Sequence, residues 1–309
     1  MSKKIAAQRT LVSVDLDDVS CYHAIHGLPA ASERQLGIVL ERCLPRFLEL
    51  FAELKVRATF FVIGRDLERD LKDGKRGAAL LKQALTQGHE LANHSYSHAY
   101  DLSTWPKARI ADDLKACDGL LRELGAPAAG FRAPGYTHNG KLLAEVARLG
   151  YTYDSSALPS PPYYLAKLAV MAWMGLRGRR SHSLARGWRS FLGAAQPRRV
   201  EKLGIWEVPM SVSPYLRLPL IGTALLAGPE PLATRLRQGA IGQRYFHLEL
   251  HGIDLADAGD NGSAGDGYAP ELKARQPELR IPLKLRLDRL RQLLRARADA
   301  TSIVSILKS

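Results

Sequence analysis

Cysteine is scarce in this sequence. Three cysteines occur in 309 residues, and Cys21, Cys43 and Cys117 are scattered without paired spacing. A disulfide framework and a thiolate zinc site both need cysteines in closely spaced sets, so neither is expected here. The cysteine content therefore favours a reducing compartment.

Long apolar runs are also missing. Residues 1–4 lead directly into the first predicted strand without the apolar segment of a secretory signal, so we expect a cytoplasmic protein. Residues 163–176 are apolar on nearly every side except at Lys167. This segment of 14 residues is too short to span a bilayer, which takes about 20.

Acidic side chains are fewer than basic ones. The chain has 31 Asp and Glu against 44 Lys and Arg, which gives a formal net charge of +13, and no acidic residue occurs between Asp154 and Glu201. The hydrophobic fraction of 46% and the charged fraction of 24% are ordinary for a globular protein. The excess of positive charge indicates an anionic partner, for which membrane phospholipid, nucleic acid and acidic glycans all qualify.

An acidic cluster marks the end of the first predicted strand. Residues 12–19 read Val-Ser-Val-Asp-Leu-Asp-Asp-Val, an apolar run that ends in Asp15, Asp17 and Asp18. Carboxylates this close repel one another, and a divalent cation relieves the repulsion. His94 and His98 follow another predicted strand at a spacing of four, which puts both imidazoles on one side. One aspartate with two histidines leaves a coordination position open for water, as in catalytic zinc sites.

Neither the aspartates nor the two histidines predict a metal site by themselves. An Asp-Asp pair after a strand is more often a turn or a helix N-cap than part of a metal site. The aspartates and the histidines together favour a metal site, because the carboxyl ends of parallel strands meet at one edge of a sheet.

Five motifs, taken in order, resemble those of the polysaccharide deacetylase family, also called the NodB-homology or carbohydrate esterase 4 family. They are Asp17-Asp18, Ala-Thr-Phe-Phe-Val at 58–62, His-Ser-Tyr-Ser-His at 94–98, Phe-Arg-Ala-Pro-Gly-Tyr at 131–136 and Leu-Glu-Leu-His at 248–251. The resemblance implies an α/β fold, a distorted (β/α)7-type barrel, with a metal-dependent hydrolase site at the carboxyl ends of its strands.

We expect one such domain over residues 1–309, because predicted strands alternate with predicted helices as in parallel βα units. Residues 155–200 are predicted to be a basic, apolar helical insertion. Residues 268–309 are predicted to contribute a C-terminal helix, and a strand at 302–306 that closes the barrel.

Hydrolysis of an amide needs a nucleophilic hydroxide, an electrophile for the carbonyl oxygen and an acid for the departing amine. A divalent ion held by Asp18, His94 and His98 supplies the first two. Zinc is favoured, and cobalt, nickel or manganese suit the same ligands. Asp17 is the predicted general base and His251 the predicted general acid, and the family resemblance implies the same roles.

Further site residues are assigned through the family motifs. Arg132 resembles the arginine that orients the catalytic base, and pairing with Asp17 would keep that carboxylate ionised. Tyr136 resembles the position whose backbone amide helps to hold the oxyanion. Leu248 and Trp206 match the positions of the acyl-methyl pocket.

Three features depart from the family pattern, and one of them is Val19, which stands where the family usually has Gly. Asp15 stands where the family usually has Thr or Ser, and we expect it to contact substrate or to raise the pKa of the base. The motif around Trp206 lacks the aspartate that normally tunes the acidic histidine, and Glu207 is the nearest substitute. No metal ligand is lost, so we expect an active enzyme.

The insertion has the composition of an interfacial membrane segment. Its apolar part is followed by arginines interleaved with aromatic residues: Arg177, Arg179, Arg180, Arg186, Trp188, Arg189, Phe191, Arg198 and Arg199. The apolar face would enter the acyl boundary while the arginines meet lipid phosphates, and residues 216–227 are a second such segment. The alternative is that both segments are core helices with a solvated rim. Nucleic acid is not expected, because the arginines follow no known nucleic-acid motif.

The sequence thus predicts a hydrolase that removes an acetyl or formyl group from an amino sugar, with a lipid-linked sugar phosphate as the first candidate substrate. The protein would lie at the inner face of the membrane. A soluble substrate, such as a nucleotide sugar or an acylated polyamine, is the second hypothesis. A catalytically silent, lipid-binding member of the family is the third.

Overall fold

The computed structural model describes residues 8–74, 76–176, 178, 193–261 and 266–307. The strands are β1 Arg9–Asp15, β2 Thr59–Val62, β3 Glu90–Asn93, β4 Gly130–Phe131, β5 Tyr153–Asp154, β6 Arg198–Val200, β7 Ile205–Glu207, β8 Tyr245–His251 and β9 Ala300–Thr301. The helices are α1 Val19–His26, α2 Leu44–Leu54, α3 Gly64–Lys72, α4 Gly77–Thr86, α5 Lys107–Glu123, α6 Gly140–Arg148, α7 Pro161–Leu176, α8 Gly222–Leu226, α9 Glu230–Ile241, α10 Pro270–Arg275, α11 Pro277–Arg280, α12 Leu283–Arg295 and α13 Ile303–Leu307.

Seven of the described strands run parallel in the order β8-β1-β2-β3-β4-β5-β7. The sheet curls so that its two ends approach each other after β7, where the backbone amide of Ser211 donates to the carbonyl oxygen of His247 at 3.2 Å. β6 is antiparallel to β7, and β9 pairs with the first half of β1. The prediction of a distorted (β/α)7-type barrel is confirmed.

The alternation of side chains along β1 and β8 separates the helical layer from the barrel interior. Val12 and Val14 of β1 face the helices and pack in the main hydrophobic core with Phe47 of α2. Ser13 and Asp15 face inward, and the inward residues of β8 are its odd-numbered ones. Any chemistry at the carboxyl ends of the strands is therefore carried by odd-numbered positions of these two strands.

The barrel interior changes from apolar to polar along its axis. The layer at the amino ends of the strands is mainly hydrophobic and contains Leu11, Phe61, Ala92, Tyr153, Val208, Tyr245 and Ile303. The next layer is centred on the buried guanidinium of Arg132, which donates to Ser13 Oγ and Ser155 Oγ, both at 2.9 Å. This polar layer supports the carboxylates and histidines at the opposite end.

Residues 302–306 do not form the predicted strand. β9 ends at Thr301, and the chain turns at once into α13, whose first amides have side-chain acceptors. Thr59 Oγ1 accepts from the amide of Ile303 at 2.9 Å, and Glu90 Oε2 accepts from that of Val304 at 3.0 Å. Because these acceptors satisfy the open N–H groups of a helix start, the chain leaves the sheet and covers the amino end of the barrel.

Within the insertion, the helix α7 lies on the surface, whereas residues 155–160 are buried and 198–200 form β6. In α7, Tyr164 and Met174 are buried, whereas Leu165 is 66% exposed and Leu176 is 88% exposed, so the alternative of a core helix does not hold there. The residues Arg177, Arg179, Arg180, Arg186, Trp188, Arg189 and Phe191 lie outside the described residues. None of the described helices combines the length and the apolar composition that crossing a bilayer takes.

The second apolar segment, 216–227, divides into two parts. Leu216 is 70% exposed, but Leu220, Leu225 and Leu226 pack in the main core. Its later half is therefore a core element, as the alternative interpretation of the sequence held, and only its first residues lie on the surface.

Replacing Gly130 by Ala should destabilise the fold. A Cβ at Gly130 would lie 1.8 Å from Cζ of Tyr153, a fully buried ring whose hydroxyl is bonded to Glu90. We expect a loss of about 2 kcal/mol in the free energy of unfolding. In the control variant Gly119→Ala, on α5, the Cβ meets nothing within 4 Å, so stability should rise slightly. Urea unfolding of both variants measures the difference, and equal stability contradicts the account.

Candidate active site

Asp17, His94 and His98 converge at the carboxyl end of the barrel. Asp17 follows β1 by two residues, His94 follows β3 directly, and His98 ends the turn after it. Asp17 Oδ1 lies 3.3 Å from His94 Nε2 and 3.2 Å from His98 Nε2. All three side chains are buried, and their ligand atoms lie within 4.8 Å of one another.

The other ring nitrogens orient the two imidazoles. Nδ1 of His94 lies 2.8 Å from the carbonyl oxygen of Arg132, which can only accept, so this nitrogen carries a proton and, in the neutral imidazole, the lone pair is on Nε2. Nδ1 of His98 lies 3.4 Å from Sγ of Cys21. Both Nε2 atoms therefore face Asp17, in the arrangement that metal-binding histidines adopt.

The cluster has the properties of a cation site. Asp17 Oδ1 and His98 Nε2 are buried and have no hydrogen-bond partner among the described residues. Burial opposes ionisation of Asp17, but the neighbouring imidazoles, His98 first, lower its pKa well below the ordinary value. Buried polar atoms without partners are costly, and a divalent ion would satisfy both.

Asp18 does not lie in this cluster, contrary to the sequence-based expectation. Its Oδ2 accepts from the amide of Gly37 and from Nη2 of Arg69, each at 2.8 Å, and it stands at the N-cap position of α1. The side-chain alternation of β1 continues past its end, so Asp15 and Asp17 face the interior while Asp18 points away. The aspartate that lies with His94 and His98 is therefore Asp17, one residue before the expected ligand Asp18.

Arg132 pairs with Asp15, not with Asp17 as expected. Nη1 of Arg132 donates to Asp15 Oδ1 at 2.5 Å, and the guanidinium carbon lies 4.1 Å from the ring centre of Phe61. Asp15 Oδ2 is 3.7 Å from Nε2 of His94. Asp15 is therefore the carboxylate that the arginine holds beside the cluster.

His251 shares the same cavity and contacts a carboxylate that sequence reasoning missed. Nδ1 of His251 lies 3.3 Å from Oε1 of the fully buried Glu249. Burial would lower the pKa of His251, but the negative charges of Glu249, Asp17 and Asp15 raise it to about 9. The signal was present in Leu-Glu-Leu-His, because a period of two puts Glu249 on the face of His251.

Glu207, the substitute that we expected beside His251, lies elsewhere. Its Oε2 accepts from Nε of Arg198 at 2.6 Å, and its Oε1 is 3.8 Å from Nε2 of His138. The carboxylate that adjusts the protonation of His251 is Glu249.

Tyr136 lies at the site, but its backbone amide is already used. That amide donates to the carbonyl oxygen of Ala133 at 3.1 Å within a tight turn at Pro134–Tyr136. The phenol of Tyr136 instead donates to Glu249 Oε1 at 2.9 Å and lies 3.5 Å from Nε2 of His251. The expected oxyanion contact from the amide is therefore not available in this conformation, and the hydroxyl is the group that faces the site.

Two expected pocket residues lie away from the site. Leu248 is an outward residue of β8 and packs in the main core against the helices. Trp206 lies near Arg9 and Tyr245, at the amino ends of the strands. Leu248 points outward because side chains alternate along β8. Trp206 lies away from the cavity because β7 lies towards the amino end of the barrel.

A cavity of about 590 Å³ opens over the cluster. Asp15, Asp17, His94 and His251 form its polar floor, and the upper walls are mainly apolar. Wall residues include Ile25, Tyr100, Tyr136, Tyr163, Lys167, Pro219, Ile221, Ala224, Ala227, Leu232 and Ile253.

Part of the chain is similar in sequence to known deacetylases. Residues 37–153 match the family model described as polysaccharide deacetylase. A peptidoglycan-N-acetylglucosamine deacetylase of Bacillus cereus is 29% identical over 107 residues, which are 35% of this chain and 46% of that protein. A chitooligosaccharide deacetylase of Bradyrhizobium is 30% identical over 110 residues, 35% of this chain and 47% of that protein. The match thus spans about half the length of these relatives.

The fold is shared with solved structures of low sequence identity. A Mycobacterium smegmatis structure assigned as a polysaccharide deacetylase superposes with a TM-score of 0.61 at 16% identity, covering 100% of this chain and 92% of that one. A 4-alpha-glucanotransferase of Thermococcus litoralis superposes with a TM-score of 0.55 at 12% identity, covering 98% of this chain and 40% of that one. These two likenesses establish the fold alone.

Replacing Glu249 by Gln should lower the pKa of His251. In metal-free protein we expect the pKa to fall clearly below about 9, because the charge that raises it most is lost while burial and the charges of Asp17 and Asp15 remain. An NMR titration of the histidine ring signals in chelator-treated protein measures this. Glu207→Gln, which alters a carboxylate beside His138, is the control and should leave His251 unchanged. A midpoint that stays near 9 in Glu249→Gln contradicts the assignment.

Proposed function

We propose that the chain is a member of the polysaccharide deacetylase family, whose model residues 37–153 match, and that it is a metal-dependent hydrolase that removes an N-acyl group, acetyl or formyl, from an amino sugar. One observation carries the proposal. Asp17, His94 and His98 form a buried cluster that could hold a cation, and the cavity over it is lined by Asp17 and His94, by Asp15, which pairs with Arg132, and by His251. An amide hydrolase needs a metal ion, a general base and a general acid close enough together to contact one substrate molecule.

The proposed ligands of the ion are Asp17, His94 and His98. Zinc is the first candidate, and cobalt, nickel and manganese suit one carboxylate and two imidazoles as well. The ion, when bound, lowers the pKa of a water molecule and polarises the carbonyl group of the amide.

The other site residues move protons. Asp15 is the proposed general base, because the guanidinium of Arg132 orients its carboxylate beside His94. His251 is the proposed general acid that protonates the departing amine, and Glu249 keeps it protonated at neutral pH. Asp15 and His251 stand on neighbouring strands in register, so both reach one substrate from the same side of the barrel.

A silent member of the family would have no need for these contacts. A buried carboxylate and imidazole without hydrogen-bond partners destabilise a fold unless they hold something. We therefore favour the enzyme over a catalytically silent, lipid-binding module.

Asp17→Asn and Asp18→Asn separate the two possible ligand sets. We expect Asp17→Asn to lose the bound divalent ion and to lower hydrolysis of N-acetyl or N-formyl amino sugars by about 100-fold or more. Asp18→Asn should keep the ion, since its carboxylate is bonded to Gly37 and Arg69. Metal analysis of the purified variants and an amine-release assay measure both effects. Loss of the ion in Asp18→Asn but not in Asp17→Asn would reverse the assignment.

We further propose that the amino sugar is linked to a lipid and that the protein meets it at an anionic membrane surface. Apolar residues make up most of the upper cavity wall, and α7, which contributes Tyr163 and Lys167 to that wall, carries exposed apolar side chains on its outer surface. The net charge of +13 suits the anionic lipids of a cytoplasmic leaflet. A soluble nucleotide sugar or acylated polyamine is the second candidate.

Liposome flotation tests the membrane surface. A variant with Leu165, Leu168 and Trp173 of α7 replaced by serine should lose most of its binding to vesicles that contain anionic lipid, because these exposed apolar groups supply the buried area. The control replaces Leu71 and Leu285, which are also exposed but lie on α3 and α12, and should float like the unmodified protein. If the unmodified protein ignores anionic vesicles, the membrane proposal is wrong.

A further inference from the structure

Lys167 places a positive charge on the wall of the cavity, apart from His251 on its floor. It extends from α7, is half-buried, and lines the same cavity as Asp15, Asp17 and His251. Its ammonium nitrogen lies 3.7 Å from the point where a side chain at Gly135 would begin, which puts it next to Tyr136 at the rim of the site.

The charge of Lys167 is not neutralised within the described part of the protein. Among the described residues, the ammonium group donates a long hydrogen bond of 3.4 Å to the carbonyl oxygen of Gly135. It also lies 5.9 Å from the ring centre of Tyr163. Burial lowers the pKa of Lys167 to about 8, and no carboxylate raises it again. The amine is therefore still mostly protonated at neutral pH, with two of its three donors available.

A half-buried cation without a counter-ion costs free energy that an apolar residue at the same position would avoid. A role in tethering α7 to Gly135 does not explain why a lysine stands at this position, because a single hydrogen bond of 3.4 Å to a neutral carbonyl is weak. An anionic ligand in the cavity would give the ammonium the partner that it lacks.

We propose that Lys167 binds an anionic substituent of the substrate, a phosphate or a carboxylate, while the N-acyl group lies over Asp17, His94 and His98. This inference rests on the proposed function and adds to it the chemical class of the substrate, an amino sugar that carries an oxyanion. The anion would lie at the rim, beside Gly135, and any apolar continuation of the substrate would follow the wall formed by residues such as Ile221 and Leu232.

Equilibrium binding tests the inference without turnover. The ligands are N-acetylglucosamine, N-acetylglucosamine 1-phosphate and N-acetylmuramic acid, so that the neutral sugar is compared with a phosphate and a carboxylate. We expect the metal-loaded protein to bind one of the anionic sugars about 10- to 100-fold more tightly than the neutral one. Lys167→Met should remove most of this preference, and Lys167→Arg should retain it. A bound ion also attracts phosphate, but it does so in every variant and cancels from the comparison.

The matched control is Lys141→Met. Lys141 also donates to backbone carbonyl oxygens, those of Thr104 and Trp105, but it does not line the cavity. Its replacement should leave the preference for the anionic sugar unchanged. Thermal unfolding of both methionine variants checks that each is folded.

The two proposals fail in different ways. If the protein hydrolyses N-acyl sugars but Lys167→Met keeps the full preference for the anionic sugar, or if the unmodified protein shows no such preference, the anion site is wrong and the proposed function stands. If no N-acyl sugar is hydrolysed while Lys167→Met loses the preference, the anion site stands and the proposed function is wrong.

Discussion

The ion pair between Arg132 and Asp15 is the interaction on which the site depends. A fully buried guanidinium is tolerable only when its charge and its donors are satisfied, and here a carboxylate, two serine hydroxyls and the carbonyl oxygen of Ser155 do this. The backbone of the same residue accepts from Nδ1 of His94. Arg132 thus fixes Asp15 with its side chain and one imidazole of the cation site with its carbonyl group.

The polar layer around Arg132 also separates two regions with different tasks. Below it, the interior is an apolar core covered by α13, and above it lies the open cavity. The glucanotransferase fold likeness shows that a barrel of this kind does not by itself determine a reaction. The chemistry of this protein has to be sought in the residues at the carboxyl ends of the strands.

Much of the fold was predictable from the sequence, because period-two strands alternate with amphipathic helices. The barrel and the convergence of His94 and His98 were predicted from the motifs, and the match of residues 37–153 to the polysaccharide deacetylase model agrees with the family resemblance. The choice among Asp15, Asp17 and Asp18 did not, because the order of motif residues does not reveal which of them faces inward. The period of β1 would have separated Asp17 from Asp18, and the period of β8 would have revealed Glu249.

Other features had no signal in the sequence. Trp206 was assigned to the pocket through its motif, but how far along the barrel axis β7 ends depends on packing of the whole sheet. That no carboxylate among the described residues pairs with Lys167 depends on where α7 lies, and a mainly apolar helix gives no indication of its neighbours. Similarly, residues 302–306 have the composition of a strand, and they form a helix because Thr59 and Glu90 accept from its first amides.

The pairing of β9 with β1 has a consequence for the order in which the strands of the barrel can pair. Thr10 and Asp299 are bonded to each other across a sequence separation of 289 residues, and β8, which pairs with the edge of β1 opposite β2, is also late in the chain. β2 can therefore pair with one edge of β1 early, whereas the opposite edge stays open until β8 is available. Contacts this distant in sequence are slow to form, so this edge exposes unpaired hydrogen-bonding groups in the partly folded chain and is its main site for aggregation.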